Sequence, residues 1–336
     1  MKALVYEAPN TVRVKDRETP QAEQGWAIVK IKYAGLCGGD LNILAGTHPR
    51  AKAPLIMGHE CVGVLDSDNV DSMPKGTRVT FSPLITCGKC TPCKTGNSHV
   101  CNTLRLFGID RDGAFAEYAK VPEENLIPVP DHIPDKLAAL VEPVAVAVHT
   151  LRDTNFLPGD NALVIGGGAI GLCLALTLRV FGASSILIME TDEKRANIAR
   201  NMGFEVVDTS TISVEEYCKG RTGGDGYDWV FDCAGVQAVA EVLLDAVKVR
   251  GTIVVVAGYK KPPSMPLIKG MFKEPTIKFV RVYRTKDLEI AVDIVAKDPD
   301  FEKIITHVLP LSEGERAFDL IKTPSTGAVK VLFECF

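Results

Sequence analysis

The sequence predicts an α/β protein with two domains, one mostly β and the other built on a doubly wound parallel sheet. Three observations lead to this class. The chain has 336 residues, which is enough for two domains of ordinary size. Residues 1–150 contain short β-type runs separated by prolines and glycines, and strand and helix patterns alternate from about residue 160 onward.

The mostly β domain is predicted from runs in which apolar and polar residues alternate, as they do in a half-buried strand. Its predicted strands are 27–33, 60–65, 77–81 and a closing strand at 329–333. The closing strand follows the second domain in the chain, and we expect it to return to the first. We therefore assign residues 1–150 and 285–336 to this domain.

The second domain, residues 151–284, is predicted from a regular βαβ pattern. Its strands are expected at 161–165, 185–190, 227–233 and 252–257, and its helices at 169–182, 193–202 and 238–247. Strands that alternate with helices in this way form a parallel sheet with helices on both faces.

Composition excludes two classes of partner. The net charge is −4, so no basic field attracts nucleic acid or a membrane surface. The longest apolar stretch, residues 162–182, is interrupted by adjacent glycines and carries Arg179, so a strand, a turn and a buried helix fit it better than a membrane span. Ten cysteines in a chain that opens without a secretory pattern are expected to be thiols and metal ligands in the cytoplasm.

Four cysteines fall close together with the spacing C-x2-C-x2-C-x7-C. They are Cys87, Cys90, Cys93 and Cys101. Four thiolates satisfy tetrahedral zinc and leave no position open for chemistry, so the spacing predicts a structural zinc ion. An iron–sulfur cluster is the alternative. Its bacterial motif has three residues before the last cysteine and a proline after it, whereas this chain has seven residues and then Asn102, which favours zinc.

A glycine-rich turn joins the first strand and helix of the second domain. The segment 166–171 reads GGGAIG, which fits the dinucleotide-binding pattern G-x-G-x-x-G. Gly166 allows the tight turn, Gly168 lets a pyrophosphate approach the backbone, and Gly171 lets the helix pack closely. We therefore expect these glycines, together with Ile170 between them, to bind the cofactor.

An acidic residue ends the next strand and bears on the choice of cofactor. Glu190 lies 22 residues beyond Gly168, where a carboxylate accepts hydrogen bonds from ribose hydroxyls and repels a 2′-phosphate. This position predicts NAD rather than NADP. Lys194 and Arg195 follow on the next helix. They form the solvated face of that helix or, as we expect for Arg195, lie near the cofactor, where a positive charge opposes the preference for NAD.

A second set of residues has the ligand types of a catalytic zinc site. Cys37 follows a predicted strand, His59 and Glu60 lie in GHECVGV, and Glu142 lies in VEPVAV. Each alone has an ordinary structural explanation. Cysteine, histidine and carboxylate together, beside a nucleotide-binding domain, indicate an open zinc site with one position free for water or substrate.

The sequence resembles the zinc-dependent medium-chain alcohol dehydrogenases over essentially its whole length. The matching segments are MKALVYEAPN, GHECVGV, CGKCTPCKTGNSHVC, DGAFAEY, VEPVAVAVHT and VIGGGAIGLC. The glutamate in VEPVAV resembles the sorbitol (polyol) and threonine dehydrogenase branch. The resemblance implies a GroES-like catalytic domain, a Rossmann NAD-binding domain, two zinc ions per chain and a homodimer or homotetramer.

The resemblance also implies roles for individual residues. Cys37, His59 and Glu142 take the family's catalytic zinc, with Glu60 as an alternative or neighbouring ligand, and the four clustered cysteines take the structural zinc. The implied reaction is hydride transfer between NAD and a secondary alcohol of a polyol, sugar acid or hydroxy amino acid. The alternative is a non-catalytic or regulatory dinucleotide-binding protein that retains only the structural zinc.

The chain departs from the family at the positions whose side chains relay the alcohol proton to solvent. Relatives usually carry serine or threonine two residues after the zinc cysteine, and many carry histidine five residues after it. Here these positions are Gly39 and Asn42. The proton is therefore expected to leave through water, a substrate hydroxyl, Glu60 or His48. Tyr283 matches a stretch that lies near the nicotinamide and the subunit contact in relatives.

Overall fold

A change of sheet type separates two compact units of the chain. The computed structural model describes residues 1–210, 212–323 and 326–336. The first unit comprises Met1–Ala145 and Tyr283–Phe336, and the second comprises Val146–Val282. The first unit is built mainly from antiparallel strands, and the second from parallel strands joined by helices.

The strands in chain order are β1 (Lys2–Ala8), β2 (Thr11–Asp16), β3 (Trp26–Gly35), β4 (Leu55–Ile56), β5 (Glu60–Leu65), β6 (Arg78–Phe81), β7 (Leu84–Ile85), β8 (Arg105–Leu106), β9 (Tyr118–Pro122), β10 (Leu126–Pro128), β11 (Asn161–Ile165), β12 (Ser185–Met189), β13 (Glu205–Val207), β14 (Tyr227–Asp232), β15 (Val247–Val255), β16 (Thr276–Phe279), β17 (Ile305–Pro310) and β18 (Lys330–Glu334).

The α-helices in chain order are α1 (Asp40–Leu44), α2 (Thr91–Lys94), α3 (Asp135–Ala138), α4 (Val141–Thr154), α5 (Ala169–Val180), α6 (Glu193–Asn201), α7 (Val214–Arg221), α8 (Gln237–Ala246), α9 (Leu267–Lys273), α10 (Thr285–Val295) and α11 (Gly314–Lys322). Short 3₁₀ turns lie at Ser98–Val100, Glu123–Asn125, Pro299–Ile304 and Leu311–Glu313.

The largest sheet of the first unit has the order β10-β6-β5-β3-β18-β17, and β9 also pairs with β3. The closing strand β18 pairs antiparallel with β3, so the end of the chain lies in this sheet. A smaller sheet, β2-β1-β4, packs its apolar side chains into the same core. In that core the rings of Phe115 and Phe333 meet edge to face with centroids 4.8 Å apart.

The sheet of the second unit has six parallel strands in the order β13-β12-β11-β14-β15-β16. This is the strand order of a doubly wound sheet. The order in which the chain adds strands reverses between β11 and β14, and sheets of this kind bind ligands at that point, at the carboxyl ends of the strands. Leu172, Leu174, Leu176 and Leu178 of α5 are fully buried. Within the described residues, no helix is both long and apolar enough to cross a membrane.

The boundaries between the units lie a few residues before the predicted positions at 150 and 285. The first boundary falls inside α4, so no break in composition marks it. The second assigns Tyr283 to the first unit, where its hydroxyl group donates a hydrogen bond to Glu142. The sequence pattern does not mark either boundary, because one lies within a helix and the other depends on a contact between distant residues.

Candidate active site

The four clustered cysteines form one candidate metal site. Their sulfur atoms all lie within 4.8 Å of one another. Cys90 Sγ is 3.4 Å from Cys93 Sγ and 3.8 Å from Cys101 Sγ. Tetrahedral zinc with bonds of about 2.3 Å places its sulfur ligands about 3.8 Å apart, so the four cysteines fit this ion.

Backbone amides and neighbouring sulfurs set the protonation of these thiols. Hydrogen bonds from the backbone N–H groups of Lys89 and Cys90 lower the pKa of Cys87 to about 6. Burial, followed by the neighbouring sulfur of Cys90, raises the pKa of Cys93 to about 11. Four thiolates at this distance repel one another, and a bound cation removes that repulsion. The donor set therefore fits a closed zinc site.

A second group of candidate ligands comprises Cys37, His59 and Glu60. One ligand atom from each lies within 4.8 Å of the other two. Sheet register brings them together, because Gly35 at the end of β3 pairs with Glu60 at the start of β5. Cys37 follows two residues after Gly35, and a Cβ atom at Gly35 would overlap the Glu60 carboxylate.

Asp40 lies beside the imidazole of His59 in this second group. Nδ1 of His59 and Oδ1 of Asp40 are both buried, lie 3.9 Å apart and have no hydrogen-bond partner among the described residues. The other Asp40 oxygen accepts a hydrogen bond of 3.0 Å from the backbone N–H of Cys37. A histidine that binds metal typically directs its other ring N–H toward a carboxylate. The orphaned pair therefore fits a histidine ligand.

The charges in this group also fit a bound cation. Burial by itself lowers the pKa of His59, but its hydrogen bond to Cys37 and the nearby acidic groups raise that pKa well above the usual range. Burial raises the pKa of Asp40 to about 6, against the opposing charge of His59. Several acidic groups converge on one imidazole, which is the electrostatic pattern of a metal centre.

Lys330 neutralises Glu60 from the closing strand. Its Nζ lies 2.8 Å and 2.6 Å from the two carboxylate oxygens of Glu60, and also donates to the carbonyl of Leu36 at 3.2 Å. Sequence reasoning missed this lysine. The sequence signal for it is a charged residue inside the apolar run AVKVLF, where it interrupts the pattern of a buried strand and indicates a buried partner of opposite charge.

Glu142 lies outside both groups of close ligand atoms. It is buried in the first turn of α4, and its Oε1 accepts a hydrogen bond of 2.8 Å from the hydroxyl group of Tyr283. Burial raises the pKa of Glu142 to about 7, while the charge of His59 acts in the opposite direction. Of the eight predicted metal ligands, seven therefore converge in two groups, and Glu142 stands beside the second group.

The residues considered for proton release differ in their contacts. Gly39 donates its backbone N–H to Cys37 Sγ at 3.4 Å, and it offers no hydroxyl group. Nδ1 of His48 accepts hydrogen bonds from the backbone N–H groups of Arg50 and Ala51, at 3.3 Å and 3.2 Å. His48 therefore has one ring nitrogen engaged in its own loop.

The glycine-rich turn has the geometry of a dinucleotide-binding loop. Gly166 has φ 107°, which favours glycine, and it begins the turn after β11. A Cβ atom at Gly168 would meet no atom within 4 Å, so the backbone there is open to an approaching ligand. A Cβ atom at Gly171 would overlap the Gly166 carbonyl, so Gly171 acts by allowing close packing of α5.

Glu190 is fixed at the rim of this turn. Its carboxylate accepts hydrogen bonds of 2.8 Å from the backbone N–H groups of Gly167, Thr191 and Asp192. A cavity of about 870 Å³ lies here, and its lining includes Gly166, Gly168, Glu190 and Arg195. Ile170 and Gly171 are not among the lining residues.

Two family models match this chain. The alcohol dehydrogenase GroES-like domain matches residues 23–131, and the zinc-binding dehydrogenase model matches residues 169–297. The chain is also similar to 2-dehydro-3-deoxy-L-galactonate 5-dehydrogenase of Pseudoalteromonas atlantica. The two are 32% identical over 339 residues, which cover 100% of this chain and 99% of that protein. This chain belongs to the zinc-dependent medium-chain alcohol dehydrogenases.

Solved structures of alcohol dehydrogenases have the same fold. The alcohol dehydrogenase RspB of Escherichia coli CFT073, solved with NADH, is 28% identical, with a TM-score of 0.92 over 99% of each chain. A zinc-binding dehydrogenase of Sinorhizobium meliloti 1021, solved with NADP, is 28% identical, with a TM-score of 0.91 over 99% of this chain and 98% of that chain. The protein is thus a zinc- and NAD(P)-dependent oxidoreductase of this family.

Proposed function

We propose that this dehydrogenase oxidises a secondary hydroxyl group of a polyhydroxylated substrate with NAD, and that sugar acids are its first candidate substrates. The observation that carries the proposal is the convergence of Cys37, His59 and Glu60 within 4.8 Å in the GroES-like unit. The similarity to a galactonate-type dehydrogenase supports a sugar acid. Polyols and hydroxy amino acids complete the substrate classes to be compared.

Each group of the site has a distinct task. When bound, zinc supplies Lewis-acid polarisation of an alcohol oxygen, and NAD supplies the hydride acceptor. Asp40 faces the Nδ1 side of His59 and is placed to accept its N–H when the imidazole binds metal through Nε2. Lys330 balances the charge of Glu60 inside the protein. Gly39 leaves space beside Cys37, which favours a substrate with a bulky or hydroxylated carbon next to the reacting one.

Charge balance favours Glu142 over Glu60 as the carboxylate ligand. Both oxygens of Glu60 already accept from the Lys330 ammonium group. The described residues give Glu142 a hydrogen bond from Tyr283 but no cation within ion-pair distance. We assign the catalytic zinc to Cys37, His59 and Glu142, because the described residues place no ammonium group on the oxygens of Glu142, unlike those of Glu60.

Zinc content separates these two carboxylates. Glu142→Gln is expected to contain one zinc ion per chain, held by the cysteine loop. The matched double variant, Glu60→Gln with Lys330→Met, removes the other carboxylate together with its countercharge. It is expected to retain two zinc ions per chain. The reverse result would make Glu60 the ligand.

NAD is proposed as the cofactor because the carboxylate of Glu190 is fixed by three backbone N–H groups at the cavity rim. A negative charge that cannot move away repels the 2′-phosphate of NADP. Glu190→Ser is expected to raise kcat/KM with NADP relative to NAD. A wild-type preference for NADP would contradict this assignment.

We propose a homodimer that forms through the β16 edge of the parallel sheet. Ile277 and Phe279 of β16 are exposed, as are Met271 and Phe272 of α9, and Phe272 reaches 75% exposure. Among the described strands β16 is the edge of its sheet, and such an edge beside exposed apolar side chains is suited to pairing with a second copy. Phe279→Lys is expected to yield a monomer in sedimentation velocity.

We place the dimer in the cytoplasm, where reduced thiols persist.

Metal analysis and NADH absorbance test the whole proposal. The wild type is expected to contain about two zinc ions per chain and to reduce NAD with at least one sugar acid, polyol or hydroxy amino acid. Cys37→Ser is expected to lose one zinc ion and its turnover, whereas Cys335→Ser, which changes a buried cysteine outside both groups, is expected to keep them. A protein with one zinc ion and no turnover would instead be a regulatory nucleotide-binding protein.

A further inference from the structure

Two consecutive residues of the GroES-like unit hydrogen-bond to residues that neighbour the two candidate zinc centres. The hydroxyl group of Tyr283 donates to Glu142 at 2.8 Å. The next residue, Arg284, donates from Nη2 to Oδ1 of Asn97 at 3.0 Å. Asn97 lies in the cysteine loop, between Cys93 and Cys101. A single peptide segment therefore joins the closed cysteine site to the catalytic group.

Asn97 is fixed within the cysteine loop at several atoms. Its backbone N–H donates to the carbonyl of Pro92 at 2.8 Å, and its carbonyl accepts from Val100 at 3.0 Å. Its side-chain Nδ2 donates to the carbonyl of Thr95 at 3.3 Å. The amide therefore presents its oxygen to Arg284 in one orientation, and that orientation depends on the loop remaining folded.

The other end of the segment is equally constrained. Tyr283 is fully buried, and its hydroxyl group donates to the buried carboxylate of Glu142. The backbone N–H of Arg284 donates to Asp287 Oδ2 at 2.9 Å, which fixes the start of α10. Because Tyr283 and Arg284 are joined by one peptide bond, we expect a displacement of Arg284 to be passed to the Tyr283 hydroxyl group and to Glu142.

Backbone strain precedes these two residues. Val282 has φ 43°, and a β-branched residue rarely adopts this left-handed conformation. Such strain persists only where surrounding contacts hold the chain in place. The bonds of Tyr283 and Arg284, directly after Val282, are contacts of this kind.

We propose that Arg284 is a positioning residue that ties the cysteine loop to Glu142, so that the ordered loop fixes the carboxylate of the catalytic centre. The inference rests on the proposed role of Glu142 as a zinc ligand. Arg284 reaches Asn97, which is not itself a candidate ligand. It acts through Asn97 on one side and through the neighbouring Tyr283 on the other.

Zinc release to a chromogenic chelator tests this coupling without turnover. Cys37→Ser identifies which release phase belongs to the catalytic centre, because it lacks that phase. Arg284→Ala and Asn97→Ala are each expected to speed that phase about tenfold. Removing a residue that hydrogen-bonds to a metal ligand typically lowers metal affinity by about 10- to 100-fold, and we expect the lower end of this range. The double variant is expected to match the single variants, since both break the same bond.

Two substitutions separate positioning from general damage. Asn97→Asp loses the Nδ2 donor to Thr95 but keeps an oxygen for Arg284, and it is expected to release zinc more slowly than Asn97→Ala. Arg316→Ala removes an exposed arginine that pairs with Glu313 in the same unit, and it is expected to have no effect. The unfolding free energy of each variant shows whether it remains folded.

The outcomes distinguish this inference from the proposed function. If Glu142→Gln speeds the catalytic release phase and Arg284→Ala does not, the coupling is wrong and the role of Glu142 stands. If Glu142→Gln leaves the phase unchanged, the ligand assignment itself fails. Additive effects of Arg284→Ala and Asn97→Ala would also overturn the coupling, because the two residues would then act independently.

Discussion

Lys330 and Glu60 form a buried ion pair in which one ammonium group reaches both carboxylate oxygens, at 2.6 Å and 2.8 Å. The two side chains are 2% and 1% exposed. Lys330→Met leaves Glu60 charged and unpaired, so the free energy of unfolding is expected to fall by about 3 to 5 kcal/mol. Urea unfolding followed by circular dichroism measures the change.

The double variant provides the control for this pair. Adding Glu60→Gln to Lys330→Met removes both charges, and most of the lost stability is expected to return. A double variant as unstable as Lys330→Met would show that the lysine acts through packing and not through its charge.

Two glycines of the nucleotide-binding turn are expected to respond differently to alanine. Gly168→Ala has free space for the new methyl group, so stability should change by less than about 0.5 kcal/mol. That methyl group occupies the approach of the pyrophosphate, so NADH affinity should fall about tenfold, or 1.4 kcal/mol. Gly171→Ala places a methyl group against the Gly166 carbonyl and should destabilise the fold itself.

NADH fluorescence titration and urea unfolding, performed on both glycine variants, separate these effects. Unchanged NADH affinity in Gly168→Ala would mean that the cofactor does not approach the backbone there. A stable Gly171→Ala variant would show that α5 can shift away from the turn.

Asp135 should contribute stability that disappears in acid. Arg78 donates to its Oδ1 from Nε at 3.0 Å and from Nη2 at 2.6 Å, and Lys32 lies 2.5 Å from Oδ2. Burial raises the pKa of Asp135, but the hydrogen bonds from Lys32 and Arg78 outweigh it, so the pKa lies below the usual value. A carboxyl group with a lowered folded-state pKa stabilises the protein above its unfolded-state pKa, and the stabilisation is lost as the pH falls through the folded value.

Asp135→Asn is therefore expected to lower the unfolding free energy by about 1 to 3 kcal/mol at pH 7. The difference from wild type should shrink below about pH 4, where the wild-type carboxyl group also becomes protonated. Unfolding curves between pH 3 and pH 8 measure this trend. Asp131→Asn, at an exposed carboxylate, serves as control. An equal loss of unfolding free energy in that variant would show that the ion pairs of Asp135 add no stability.

Val282→Gly should stabilise the chain although it removes a side chain. Glycine adopts φ 43° without steric cost, and relief of the strain is expected to raise the unfolding free energy by about 1 kcal/mol. Val249→Gly is the matched control, since Val249 is 61% exposed in β15 and glycine weakens a strand. If both variants lose stability, Val282 contributes more through packing than it costs in strain.

Sequence patterns predicted features that depend on neighbouring residues. The spacing of the cysteine loop and the turn at Gly166 each lie within fifteen residues, and the structure has both. The partner of Glu60 is 270 residues away, and the partner of Glu142 is 141 residues away. These pairs depend on the position of β18 in its sheet and on the conformation around Val282, which no local spacing encodes.

The order of the chain delays completion of the catalytic centre. Glu60 is synthesised early, but its countercharge Lys330 follows 270 residues later, which takes roughly 13 to 54 s at ribosomal rates of about 5 to 20 residues per second. During that interval the whole nucleotide-binding unit, Val146–Val282, is completed. A nascent chain therefore has a finished Rossmann unit before Lys330 is added, and ribosome-bound intermediates are expected to bind NAD before the buried Glu60 charge is paired.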